Sequence, residues 1–246
     1  MRYFLELSYV GTHYHGWQIQ DNAASVQQEL NEALSKILRT EIKTTGSGRT
    51  DTGVHAIQQV AHFDFEGKLE NNLSDRLNSL LSKNIAIKSC RLVQDEVNAR
   101  YDAKSRAYVY KIISHKNPFQ DSMAYRYAKE LNLDAMNEAC ELIKNWKDFE
   151  SFSKVHTEVN NFNCEIFEAK WVATNEAYEF YVKANRFLRG MVRAMVGTLL
   201  LVSEGSVGIS GFKKILESQD RTKAGRSVPA HGLYLSEVNY LEEIYQ

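Results

Sequence analysis

The 246-residue sequence predicts an α+β protein made of two tandem halves of the split β-α-β, ferredoxin-like type. Two observations carry that prediction. Strand-like alternation and helix-like spacing follow one another as β-α-β-β-α-β up to Val93, and a long alternating run starting at Arg106 opens a second series. The expected halves are residues 1–104 and 105–246.

Residues 2–10 alternate as a half-buried strand, with Tyr3, Leu5, Leu7 and Tyr9 on one side. Residues 11–20 are rich in aromatics and side-chain amides and begin with a glycine. Ser25-Val26-Gln27-Gln28 reads as a capping box, and Val26, Leu30, Ala33, Leu34, Ile37 and Leu38 mark one apolar helix face. Strands are expected at 40–44 and 60–65, with a polar loop over 46–56 between them. A helix over 73–81 and a strand over 85–93 complete the first series. In the second, the strand over 106–113 is ended by Asn117-Pro118, and a helix over 133–146 has Asp134 as its expected N-cap. Residues 164–173 and 177–184 read as a hairpin across Thr174-Asn175-Glu176. Residues 187–202 form a strongly apolar helix with Phe187, Met191, Met195, Leu199 and Val202 on one stripe. A short helix after Ser210 and a strand over 232–238 close the second half.

Hydrophobic content of 43% and charged content of 25% are those of an ordinary soluble domain. The alternating N-terminus is not the apolar run of a signal peptide, and the greasiest stretch, 191–202, contains Arg193 and is too short for a bilayer. A membrane location is therefore not expected. Three widely spaced cysteines fit a reducing cytoplasm and offer no metal cage. His13 and His15, with His55 and His62 downstream, lack a partner at metal-ligand spacing, so no metal is expected. P-loop, dinucleotide-binding and hydrolase-elbow motifs are absent. The net charge of −1 argues against a nonspecific polyanion binder, but its distribution is uneven. Residues 100–116 carry five cations against one acid, 183–193 four against none, and 213–226 five against two. Such clusters on a balanced chain suit one face that docks a polyanion, or are merely solvated.

The loop over 46–56 is the part hardest to explain as packing. Three glycines in eight positions surround one cation, Arg49, and one carboxylate, Asp51. A carboxylate on a loop between strands suits a site, although an ordinary loop with Asp51 folded into an Asx-turn has the same composition. Asp51 is the candidate nucleophile or base, with Arg49 placed to pair with it or with a phosphate. Arg193 is a second candidate cation, since its helix is otherwise apolar; the alternative is a snorkelling side chain. Tyr108 and Tyr110 share one strand face beside Arg106, as base stacking on a sheet of the RNA-recognition (RRM) type requires. One of the two tyrosines is expected to be a core residue.

These residues resemble a known family. Gly48-Arg49-Thr50-Asp51-Thr52-Gly53-Val54-His55-Ala56 is similar to the G-R-T-D-A-G-V-H-A motif of the tRNA pseudouridine synthase A family. Collinear with it, Gly16-Trp17-Gln18-Ile19-Gln20, Gln59-Val60-Ala61-His62-Phe63, Arg106-Ala107-Tyr108-Val109-Tyr110, Met191-Val192-Arg193 and Gly232-Leu233-Tyr234-Leu235 resemble the family's other motifs. Val10, Thr52, Asn98, the 82–84 segment and the order Pro229-Ala230 depart from its usual pattern. The resemblance implies a pseudouridine synthase fold, with two ferredoxin- or RRM-like halves, antiparallel sheets and a central active-site cleft. It implies isomerisation of uridine to pseudouridine at positions 38, 39 and 40 of the tRNA anticodon stem-loop, by a cytoplasmic homodimer without cofactor or metal. Carried over, Asp51 is the nucleophile, Tyr108 packs on the uracil, Arg193 holds Asp51 ionised, Leu233 lies beneath the base, and Arg49 enters the stack as the uridine flips out. Whether Asp51 attacks C1′ or C6, or removes the C2′ proton, stays open. The competing readings are a noncatalytic RNA-binding protein with two RRM-like halves and a hydrolase of small nucleosides.

Overall fold

The computed structural model describes residues 1–155 and 161–246. Nine strands and five α-helices form among them, a mixed α+β content. The chain divides into two compact units, Met1–Ser105 with Tyr234–Gln246, and Arg106–Leu233.

In the first unit β1 (Arg2–Tyr9) runs antiparallel between β3 (His55–Asp64) and β4 (Ile85–Val93), with Leu5 opposite Ala61 on one side and Cys90 on the other. Leu5 and Leu7 are wholly buried, each burial contributing about 1.5–3 kcal/mol. Helices α1 (Val26–Leu38) and α2 (Leu73–Leu80) bury Val26, Leu30 and Leu34, and Leu73 and Leu77. Half of the expected capping box forms: Ser25 Oγ accepts from Gln28 N at 3.3 Å, but the Gln28 side chain turns along the helix to Glu32 instead of back to the cap.

One expectation fails here. Residues 40–44 are not a strand; only β2 (Thr45–Gly46) pairs with β3. Side chains of α1 take the main-chain N–H groups a ladder needs: Ser35 Oγ accepts from Ile42 N at 2.8 Å, and Asn31 Oδ1 from Thr44 N at 3.0 Å. The segment is thereby tied to the helix. The last strand, β9 (Leu233–Asn239), stands between β3 and β5 in the strand order and runs parallel to β3, Tyr234 opposite His55 and Leu235 opposite Ala56. The residues after it cover the sheet, with Tyr240 edge-on to Phe4 at 5.0 Å and Arg91 over the Tyr245 ring at 3.6 Å.

His62 in β3 accepts a hydrogen bond at Nδ1 from Ala99 N, 3.1 Å away. Burial, helped by the nearby Arg2 charge and opposed by Asp64, pushes its pKa down to about 4. The fold thus holds the neutral ring. Below about pH 6.5 the unfolded chain takes up a proton that the folded chain refuses until about pH 4. Over that window stability falls with pH by about 1.4 kcal/mol per unit from this group. In His62→Asn, whose Oδ1 can accept the same bond, urea unfolding at pH 7, 6 and 5 is expected to show a slope shallower by about one proton. Parallel slopes would refute the assignment.

The second unit holds β5 (Ser105–Ile113), β8 (Tyr178–Ala184) and β7 (Ile166–Ala173) in antiparallel order, with Tyr108 opposite Val182 and Phe180 opposite Trp171. The short β6 (Tyr125–Arg126) runs parallel to the end of β5. Helix α3 (Leu133–Lys144) packs on β7 and is capped by Asn132, whose Oδ1 accepts from Ala135 N; Asp134 lies in the first turn instead. Helix α4 (Met191–Ser203) starts after Gly190, leaving Phe187 outside the expected stripe. Only Arg193, Leu201 and Ser203 of α4 are not buried. Helix α5 (Ile209–Glu217) buries Phe212, Ile215 and Leu216. No helix among the described residues is long and apolar enough to cross a membrane.

Candidate active site

The loop between β2 and β3 is held at both ends and at its centre. At its start Ser47 N donates to Val60 O at 2.7 Å and Ser47 Oγ to Gln59 Oε1 at 2.5 Å, while Gln59 Nε2 donates to Gly48 O at 3.2 Å. At its centre Thr50 O accepts from Trp17 N at 3.3 Å, and Thr50 Oγ1 shares a 2.9 Å hydrogen bond with the Tyr9 hydroxyl. Past the centre Gly53 N donates to Tyr14 O, and Val54 N closes a turn onto the carbonyl of Asp51 at 3.1 Å. The aromatic segment after β1 is therefore the strap of this loop. Gly16 makes the strap possible: its φ is +90°, and a Cβ there would lie 2.3 Å from Thr50 O.

Between these anchors sit Arg49, exposed, and Asp51, half-buried. His55, the first residue of β3, is buried; its Nδ1 accepts from Gly11 N at 3.0 Å and its ring stacks on Tyr234 at 4.7 Å. It is a tie in the fold. His13 and His15 are exposed.

The other candidates lie in or at the edge of the second unit. Tyr110 is the core tyrosine, wholly buried, donating to Pro229 O at 2.8 Å, with its pKa pushed up by burial. Tyr108 is half-buried, with its ring meeting the edge of Phe187 at 5.0 Å and 90°. Arg106 Nη1 donates to Asn185 O at 3.2 Å. Arg193 is held rather than snorkelling loosely: Nε donates to Val228 O at 2.7 Å, and Val228 N donates back to Arg193 O at 3.2 Å. Leu233 is buried at the start of β9. Not every basic residue faces outward. Arg221 braces its own loop through Ala224 O, Gly225 O and Ser227 Oγ, and Lys111 pairs with Glu179.

Burial raises the thiol pKa values of Cys90 and Cys140 to about 12 and of Cys164 to about 11, so none is poised as a thiolate. The sequence reading missed the bracing residues Tyr9, Thr50 and Gln59.

The loop is tied at both ends and presents one carboxylate and one guanidinium, as a functional loop on a fixed scaffold does. A family model described as tRNA pseudouridine synthase matches residues 7–102 and 146–241, and the chain belongs to that family. It is 46% identical over 246 residues to the tRNA pseudouridine synthase A of Parabacteroides distasonis, covering 99% of this chain and 98% of the relative. The protein of that name from Bacteroides thetaiotaomicron is 46% identical over 99% of this chain and 92% of its own length. That from Caldicellulosiruptor saccharolyticus is 39% identical over 96% and 98%. The α+β content is consistent with a pseudouridine synthase fold.

Proposed function

We infer that this protein is an isomerase that converts uridine to pseudouridine in tRNA. The observation that carries the reading is the family match in two segments, the first of which contains the braced Asp51 loop. The reaction breaks the C1′–N1 bond and forms a C1′–C5 bond; N1 gains a proton and C5 loses one. Substrate and product are isomers, so no electrons are exchanged and no redox cofactor is called for. A base inside a stem must first leave the stack, at a cost of a few kcal/mol.

In this reading Asp51 is the carboxylate that attacks the nucleoside, and the rigidity of its loop supports that role. Arg193 supplies the positive charge that favours the ionised carboxylate, and its anchored Nε suits a fixed guanidinium. Tyr108 packs on the uracil with Leu233 beneath it, Arg106 contacts the RNA, and exposed Arg49 fills the stack behind the flipped uridine. The target positions are 38, 39 and 40 of the anticodon stem-loop. The enzyme works in the cytoplasm as a homodimer of two ferredoxin-like halves per chain, with the reaction in a central cleft.

The test is release of tritium from tRNA labelled at uridine C5, the carbon that becomes glycosidic. Release at the anticodon stem-loop supports the reading; binding of tRNA without release would leave a noncatalytic RNA-binding protein.

One prediction concerns the brace. Gln59→Leu removes the carboxamide that accepts from the Ser47 hydroxyl and donates to the Gly48 carbonyl. With the loop loosened by a fraction of an ångström, kcat is expected to fall roughly tenfold to a hundredfold. KM for tRNA is expected to stay within about twofold, since the brace lies below the loop rather than on the RNA. Steady-state kinetics on folded protein decide it, and a rise in KM at constant kcat would be the contrary result.

A further inference from the structure

The second unit contains a cavity of about 380 Å³ at the end of β5, lined among others by Lys116, Asp121, Tyr125, Arg126, Pro229 and His231. It belongs to the stretch around 103–145 that separates the two segments matched by the family model, closed on one side by residues 229 and 231. Lys116 and Arg126 are exposed, and neither forms an ion pair among the described residues. Asp121 is the one carboxylate of the lining, and burial lowers the His231 pKa, which favours its uncharged form. Two cations against one acid leave a single positive charge, the complement of one phosphodiester.

The turn that carries Lys116 also carries an aromatic. Phe119 is 93% exposed, although its backbone is well tied. Asn117 Oδ1 accepts from Phe119 N at 3.0 Å, Asn117 O from Gln120 N at 3.0 Å, and the Gln120 side chain donates to Glu176 at 3.2 Å. A phenyl ring held in water by a built turn, three residues from a lysine that lines the cavity, has the two parts a nucleotide needs: a stacking plane and a cation for its phosphate. The far wall is the segment that positions Arg193: Val228 O holds the Arg193 Nε, and Pro229 O holds the Tyr110 hydroxyl.

We propose that this cavity seats a nucleotide of the substrate RNA other than the target uridine, with its phosphate on Lys116 and Arg126 and an adjacent base on Phe119. The proposal rests on the reading of tRNA as substrate, and it makes the 116–126 turn a determinant of substrate affinity.

The test is tRNA affinity of the full chain at several KCl concentrations, for wild type, Lys116→Ala/Arg126→Ala and Phe119→Ala. The double variant is expected to bind at least about tenfold more weakly, and the slope of log K against log salt to become shallower by about one for each phosphate no longer neutralised. Phe119→Ala is expected to weaken binding roughly fivefold to a hundredfold without changing the slope. At saturating tRNA, kcat is expected to stay within about twofold in both. Unchanged affinity and slope in both variants would overturn the proposal, whatever else the surface binds. So would a double variant that loses stabilisation by millimolar inorganic phosphate but keeps its tRNA affinity, because the cavity would then be a free-anion site. If wild type binds tRNA but releases no tritium, the isomerase reading falls while the affinity comparison still decides the cavity.

Discussion

Replacing Asp51 by asparagine is expected to abolish tritium release from C5-labelled tRNA, by at least about a thousandfold, while tRNA affinity stays within about twofold or tightens. The magnitude follows from the role: removing a nucleophile that no neighbour can replace costs about four to six orders of magnitude in kcat. Asparagine keeps the volume and the planar end group but is a far weaker nucleophile than a carboxylate. The loop is expected to survive the change. Its anchors are made by Ser47, Thr50, Gly53, Val54 and Gln59, and at position 51 the turn is closed by the main-chain carbonyl. A melting temperature unchanged within about 2 °C would verify that on the same sample. Binding is expected to persist because a carboxylate facing RNA repels phosphate, so its neutralisation removes an unfavourable interaction. Substantial release by Asp51→Asn would remove the carboxylate from the chemistry and leave the loop as an RNA-positioning element.

The parts of the fold that local pattern encodes were legible. The alternation of β1, the Ser25 cap and apolar face of α1, and the extent of β4 follow from neighbouring residues, and the structure agrees with them. What was not legible depends on groups distant in sequence. Residues 40–44 alternate like a strand, but their amides are claimed by Asn31 and Ser35 of the preceding helix. Local side-chain competition of that kind is invisible to periodicity. The last strand has the right pattern, but its partner is chosen by the sheet edge that β3 leaves open near His55, and the sequence carries no mark of that choice.

The candidate site divides in the same way. Its loop stands out because three glycines in eight positions make a poor strand or helix interior, and because it resembles the family motif. Its supports do not stand out. The value of Gln59, Tyr9 and Thr50 comes from geometry between segments, which no local pattern shows. Tyr108 and Tyr110 are equivalent by pattern. Only the position of Pro229 O decides that Tyr110 is the one consumed by the core.

Gly197→Ala is expected to be the most damaging of the conservative changes in the second unit. A Cβ on Gly197 would lie 1.8 Å from Arg226 O, a main-chain atom that cannot rotate away. The helix α4 and the 225–228 segment approach so closely that Gly225 is constrained in turn, its own Cβ position lying 2.6 Å from the Gly197 carbonyl carbon. Around that approach the two segments are stitched together. Gly225 N donates to Thr198 Oγ1 at 2.8 Å, Val228 N to Arg193 O at 3.2 Å, and Arg193 Nε to Val228 O at 2.7 Å. An added methyl must push the segment off the helix and break several of these bonds together. Overpacking plus broken buried hydrogen bonds amounts to about 3–5 kcal/mol. At about 2–4 °C per kcal/mol for a chain of this size, the melting temperature is expected to fall by roughly 10 °C. The segment that moves is the one that holds Arg193, so in protein that remains folded below the new midpoint kcat is expected to fall as well. Gly208→Ala is the control, since nothing lies within 4 Å of a Cβ there, and its melting temperature is expected to change by a few degrees at most. A Gly197→Ala protein that melts within about 2 °C of wild type would mean that α4 and the 225–228 segment are not packed this closely, and would remove the physical basis for treating Arg193 as a fixed cation.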